Sequence, residues 1–177
     1  MRVVSGSLKG RSIKPPKSLK LRPTTDFAKE GLFNILQHQI DFKGLNVLDC
    51  FFGTGNISLE FISRGVDHVT AVDHDRGSYT FLNKLCAEWG IDNIDIIRAD
   101  SLNFIRQAYS SYDLIFCDPP FDFPELETIP SLVFENELLN ENGTLIVEHG
   151  ERTSLVHGEN FVNCRKFGSV NFSFFEV

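Results

Sequence analysis

The chain has 177 residues, 42% of them hydrophobic and 23% charged, the values of an ordinary globular domain large enough to bury a core. No apolar run reaches the length of a membrane span, the amino-terminal Met-Arg-Val-Val-Ser-Gly lacks a signal-peptide apolar stretch, and the cytoplasm is the default location. The net charge of −7 is uneven: residues 1–25 carry seven positive charges and no acid, whereas residues 26–177 carry 10 positive and 24 negative charges, a net of −14.

The basic arm, residues 1–23, is predicted to be a short hairpin followed by an extended segment, with Val3-Val4 and Ile13 flanking Ser5-Gly6 and Lys9-Gly10, and Pro15-Pro16 breaking the pattern. It is either a solvated tail or an electrostatic contact for a phosphate backbone. Residues 24–177 form the second unit, an alternation of helices and strands. Thr24-Thr25-Asp26 offers N-caps for a helix over about 25–39, with Phe27, Leu32, Phe33, Ile35 and Leu36 on its apolar face. A strand over 45–50 leads into Gly53-Thr54-Gly55 and a helix from Ile57 to about Arg64. A second strand, 68–73, precedes a helix over about 75–89 that carries Tyr79, Leu82, Leu85, Cys86 and Trp89 at helical spacing and ends at Gly90. A third strand, 94–97, is followed by a helix capped by Ser101 and running to about Ala108. The fourth strand is 112–117. Residues 125–139 read as partly helical with a break at Pro130, 143–148 as a fifth strand, and the tail as a hairpin around Gly168. Apolar strands alternating with helices predict an α/β fold with a parallel sheet covered on both faces.

The four cysteines, Cys50, Cys86, Cys117 and Cys164, form no C-x-x-C pair, which argues against zinc and against a disulfide framework and leaves them as small packing residues. No metal is expected.

Asp118-Pro119-Pro120-Phe121 ends the fourth strand in a stiff loop, because proline cannot donate to a ladder and restricts the residue before it. In open α/β sheets, ligands bind at the carboxyl edge of the strands. A carboxylate and a carbonyl there can accept hydrogen bonds from an exocyclic amine, and an aromatic ring can stack on the base that bears it; an Asp-Pro turn ending a strand reads equally well from this stretch alone. Upstream, Asp49-Cys50-Phe51-Phe52-Gly53-Thr54-Gly55 joins a strand to a helix with glycines that allow a tight turn and a close ligand. Ser58 stands where a dinucleotide loop would place its third glycine. Asp49 before the loop favours a cationic ligand over a pyrophosphate, so S-adenosylmethionine, with its sulfonium and ammonium groups, suits it better than NAD. Asp49, Phe51, Gly53, Thr54 and Gly55 are the candidate cofactor residues. Asp73 is placed to accept from ribose hydroxyls. Asp100 either meets the adenine amine or serves as an acid at a helix start. Asp75 reads as an N-cap; His74 and His149 receive no role, and Glu148 is read as rim or structural.

These acids, the glycine loop and the Asp-Pro-Pro-Phe loop together resemble class I S-adenosylmethionine-dependent methyltransferases that act on exocyclic amines. Arg2-Val3-Val4-Ser5-Gly6, Lys9-Gly10-Arg11, Leu21-Arg22-Pro23-Thr24-Thr25-Asp26, Lys29-Glu30-Gly31-Leu32-Phe33-Asn34 and the tail Arg165-Lys166-Phe167-Gly168 followed by Phe172-Ser173-Phe174-Phe175 resemble the bacterial 16S ribosomal RNA guanine-N2 methyltransferase family. Phe52, before the glycine loop, and Asp73, where many members carry Glu, depart from that pattern. The resemblance implies a Rossmann-like, mostly parallel seven-stranded sheet with a carboxyl-terminal antiparallel hairpin. It implies S-adenosylmethionine as cofactor and a guanine of 16S ribosomal RNA, in the small subunit or its assembly intermediate, as substrate of a plausible monomer. Asp118, Pro119, Pro120 and Phe121 are then the catalytic set, and Lys9, Arg11, Arg22 and Thr24 the RNA contacts. Adenine-N6 or cytosine-N4 methylation of DNA or another RNA is the alternative; NAD-dependent oxidation and RNA binding without catalysis are more distant ones.

Overall fold

The computed structural model of the chain describes residues 1–19 and 24–177. Helix α1 (Asp26–Gln39) starts at Thr25, whose hydroxyl accepts from the Ala28 N–H. Then follow β1 (Asn46–Cys50), α2 (Asn56–Ser63), β2 (His68–Asp73), α3 (Arg76–Trp89), β3 (Ile94–Arg98), α4 (Ser101–Gln107) and β4 (Tyr112–Cys117). A 3-10 turn, Leu126–Thr128, runs into α5 (Ile129–Glu135), and the strands β5 (Leu139–Gly150), β6 (Phe161–Phe167) and β7 (Val170–Glu176) complete the chain. The seven strands form one sheet in the order β3-β2-β1-β4-β5-β7-β6, parallel through β5, with β7 antiparallel to both neighbours.

Alternation along the strands explains the core. Val47, Val69, Leu114, Phe116 and Ile146 point to one face, where they pack with α1, α2 and α3 residues such as Phe33, Phe61 and Leu82. Leu48, Val72, Ile115, Leu145 and Val147 point to the other, against Leu102 and Ile105 of α4 and Ile129 and Val133 of α5. Each Phe buried there stabilises the fold by roughly 2–3 kcal/mol relative to exposure. Among the described residues no helix is long and apolar enough to cross a membrane.

Several local expectations change. Phe27 is 67% exposed rather than in the core, because the first turn of α1 overlooks the edge of the sheet. Pro130 sits in the first turn of α5 and does not break a helix, since its missing N–H would lack a partner there anyway. Asp100, not Ser101, caps α4. Strand β5 begins earlier than expected, through an irregular stretch in which Asn142 has φ 62°. Cys50, Cys86 and Cys117 are buried, but Cys164 is exposed on the outer strand β6.

The arm forms a single antiparallel bridge, Arg2 to Ser12, rather than a full hairpin. It is pinned to the body. Val3 and Ile13 enter the same core as Phe33 and Phe61. Glu60 of α2 accepts from the Val4 N–H at 2.8 Å and the Ser5 N–H at 3.1 Å, and the Lys29 ammonium lies 3.3 Å from the same carboxylate while donating to the Arg2 carbonyl at 2.6 Å. Gly6, at φ 81°, lies so close to α2 that a Cβ there would be 1.7 Å from the Ser63 carbonyl oxygen.

Candidate active site

From β1 the chain moves outward through β2 to β3, and then returns to place β4 on the other side of β1. That reversal is the crevice where α/β sheets take ligands. Cys50 of β1 is level with Cys117 of β4, so the glycine loop and the Asp118 loop leave the sheet side by side. A cavity of about 780 Å³ opens at this edge. Asp49, Phe51, Gly53 and Thr54 line it from one side, Asp73 from the end of β2, and Asp118, Pro119, Pro120 and Phe121 from the other.

Asp49 is 1% exposed. Burial pushes its carboxyl up to about 7, a rise opposed by a hydrogen bond from the Ser58 hydroxyl and reinforced by nearby Asp73. A positive ligand in the cavity would return the group to its ionised form. Asp73 is held by two backbone donors, Gly53 N–H on Oδ2 and Asp75 N–H on Oδ1, each at 2.9 Å. Carboxylate oxygens have further acceptor sites, which suit hydroxyl donors in the cavity. Phe51, half-buried, holds φ 64°, an uncommon state for a residue with a side chain and one that turns the backbone sharply into the loop. The acids, the glycine loop and the cavity size together fit a cofactor with ribose hydroxyls and cationic groups, as S-adenosylmethionine has.

Thr24 and Glu148 complete the wall. Both are buried, at 5% and 2% exposure. The Thr24 hydroxyl donates to Glu148 Oε2 at 2.7 Å and lies 3.4 Å from Asp118 Oδ2. Val147 is level with Cys117 in the β4–β5 pairing, so Glu148 stands beside Asp118. Phe121 packs over Gly150, where a Cβ would come within 3.2 Å of its ring. Phe27 and Phe167 meet edge to face, 6.2 Å between centroids, at the rim.

Other expected site residues lie elsewhere. Gly55 caps α2 at φ 73°, its N–H donates to the Phe52 carbonyl, and a Cβ there would come within 2.4 Å of Leu82. Its glycine identity thus answers to the turn and to α3 rather than to the cavity wall. Asp100 is exposed and off that wall, accepting from the Asn103 N–H at 2.8 Å as the N-cap of α4. Lys9 and Arg11 are exposed on the arm, with the Arg11 guanidinium 5.2 Å from the centre of the Trp89 ring. Arg22 lies outside the described residues. The Glu148 contact escaped sequence reading because its partner Thr24 is 124 residues away. One available signal was that Glu148, like Asp49, Asp73 and Asp118, is an acid near the carboxyl end of a parallel strand.

The model of the family described as conserved hypothetical protein 95 matches residues 1–176. Ribosomal RNA small subunit methyltransferase D of Buchnera aphidicola (subspecies Baizongia pistaciae) is 32% identical over 84% of this chain and 75% of its own length. The Escherichia coli K12 protein of the same name is 33% identical over 84% of this chain and 74% of its own. The solved structure of yhhF from Escherichia coli, described there as a candidate methyltransferase, superposes with a TM-score of 0.86 at 28% identity, over 99% of this chain and 97% of that one. With those matches and this cavity, the chain belongs to the ribosomal RNA small subunit methyltransferase D family, whose members are S-adenosylmethionine-dependent class I methyltransferases.

Proposed function

We propose that this enzyme methylates the exocyclic N2 amine of one guanine in 16S ribosomal RNA, in the small subunit or its assembly intermediate, as a cytoplasmic monomer. The observation that carries the reading is the convergence of Asp118 and Pro119 with Asp49 and Asp73 on one cavity. S-adenosylmethionine supplies the methyl group as an electrophilic sulfonium. Asp49, Phe51, Gly53, Thr54 and Asp73 hold that cofactor, with Gly55 shaping the loop.

The guanine amine is a weak nucleophile because its lone pair is delocalised into the ring. Asp118 and the Pro119 carbonyl accept its two N–H bonds and favour the pyramidal nitrogen that develops as the new bond forms. The amine proton becomes acidic once the methyl group has transferred, so no strong base is required. Pro120 keeps the loop stiff, and Phe121 covers the base after it leaves its stack. The rate then comes chiefly from holding amine and sulfonium in line. Lys9 and Arg11, and Arg22 in the Arg-Pro-Thr-Thr motif, contact the RNA backbone, while Thr24 orders the acids at the floor of the site.

The test is transfer of labelled methyl groups to small subunits that lack the modification, followed by digestion to nucleosides. Label in N2-methylguanosine is expected, with Asp118→Ala slowed about 100- to 1,000-fold, the effect of removing one well-placed polar group from a transition state, and with cofactor affinity little changed. Label in N6-methyladenosine or N4-methylcytidine would replace the proposed substrate, and an unaltered rate in Asp118→Ala would remove Asp118 from the mechanism.

A further inference from the structure

Asp118 has a neighbouring acid that the mechanism above does not use. Glu148 is buried, lines the same cavity and stands beside Asp118 in the sheet. Because the Thr24 hydroxyl touches both side chains, the two carboxylate oxygens are no more than about 6 Å apart, the reach of two hydrogen-bond lengths from one atom. A hydroxyl has one proton to give, and the shorter contact directs it to Glu148. That bond uses one of the roughly four acceptor sites that a carboxylate has.

Two carboxylates at that separation match one base edge and oppose others. Beside its N2 amine guanine carries N1–H, so its edge presents adjacent donors. Beside the amine of adenine or cytosine lies a ring nitrogen with a lone pair. A carboxylate facing N1–H gains a charge-assisted hydrogen bond in a site sheltered from water. The same carboxylate facing a lone pair meets repulsion. Accepting from N1–H also shifts electron density toward N2, which aids attack by the amine.

Resting on the function proposed above, we infer that Glu148 is the specificity residue for guanine: its carboxylate accepts from N1–H of the flipped base while Asp118 and the Pro119 carbonyl hold the N2 amine.

The substrate analogue 2-aminopurine tests this, because it keeps the N2 amine but has a lone pair at N1. Small subunits are reconstituted from ligated RNA with guanine or 2-aminopurine at the modified position, and single-turnover methylation is compared at saturating cofactor. Wild type is expected to favour guanine by about 5- to 150-fold, the discrimination typical of one well-placed pair of base-edge hydrogen bonds. Glu148→Gln should bring that ratio close to one, because an amide can turn its carbonyl to N1–H or its NH2 to the lone pair. Thr24 keeps a partner either way, accepting from the NH2 in the first orientation and donating to the carbonyl in the second, and calorimetry should find cofactor affinity within a few-fold of wild type. A role confined to supporting Thr24 would slow both substrates equally and leave the ratio intact, which would overturn the inference. So would a wild-type enzyme indifferent to the substitution, a result that needs no variant to fold. Identifying the methylated base in the wild-type reaction separates the two proposals: a product other than N2-methylguanosine defeats the function, whereas N2-methylguanosine with an unaltered ratio in Glu148→Gln defeats only the role of Glu148.

Discussion

Asp49 is an acid whose proton is poised by its surroundings. With its folded value at about 7 against 3.8 for an ordinary aspartate, the folded protein holds a proton that the unfolded chain has lost between those pH values. The contribution of this group to stability is therefore complete below about pH 4, declines as the pH rises, and is exhausted above about pH 7. The decline is worth up to about 4 kcal/mol at 1.36 kcal/mol per unit. Asp49→Asn has no such proton to lose. Its advantage over wild type in urea-unfolding free energy should grow from pH 5 to pH 7.5 in the cofactor-free protein, and a pH-independent difference would refute the assignment. His149 is a contrasting case at the same edge: burial lowers its pKa, and hydrogen bonding with Ser173 and the Gly150 carbonyl occupies both ring nitrogens, a structural use that matches its lack of an assigned role in the sequence. At this scale the sequence identified acids whose placement follows from strand ends. It did not distinguish Gly55, which meets Leu82, from Gly53, which meets the cavity, because both look alike in a glycine loop.

Among the elements, the arm departs most from what its sequence suggests. Charge patterning marks residues 1–23 as a separate basic segment, yet its apolar Val3 and Ile13 are core residues and its backbone is anchored on α2. Nothing local marks the anchor: Lys29, Glu60 and Ser63 are polar residues on helices, ordinarily solvent-facing, and they are buried by a segment more than 20 residues away in sequence. Burial lowers the Lys29 pKa, and Glu60 opposes that shift. Glu60→Ala would leave the Lys29 ammonium without its carboxylate and two arm N–H groups without their acceptor. Breaking a buried pair in this way costs about 3–5 kcal/mol. Urea titration should register that loss, and trypsin should cut at Lys9 or Arg11 in the variant well before it cuts wild type. Equal protection in both would mean that the arm is held by its apolar side chains alone. Strands β1 to β4 were legible because their apolar runs are bounded by glycine, acid or proline. The early start of β5 was not: the pattern predicts the strand from Gly143, and the polar residues 140–142, with Asn142 at φ 62°, carry no apolar run that marks its first part.

Across the whole molecule, an acidic body of net charge −14 carries an arm of opposite sign. On the function proposed above, the body repels RNA at a distance and Lys9 and Arg11, both exposed, are the residues proposed to supply local attraction. Replacing both with alanine should weaken RNA binding and flatten its dependence on salt by roughly 0.7–0.9 logarithmic units for each phosphate that is no longer neutralised. Filter binding across a salt series measures this, and an unaltered slope would place the RNA backbone elsewhere. Substitution is a cleaner test than removing the arm, because deletion would also take Val3 and Ile13 out of the core. The α/β alternation was evident from periodicity. The order β5-β7-β6 at the sheet's edge was not legible in it, since hydrophobic patterning does not encode strand order.

The docking of the arm also decides where the protein can be handled. Met1 is half-buried, its carbonyl accepts from the Ile13 N–H, and its sulfur receives the Thr54 hydroxyl of the glycine loop. A fluorophore, surface tether or purification handle attached there would crowd the cofactor side of the cavity. Val177, 60% exposed beyond the end of β7, offers an attachment point that leaves that loop untouched.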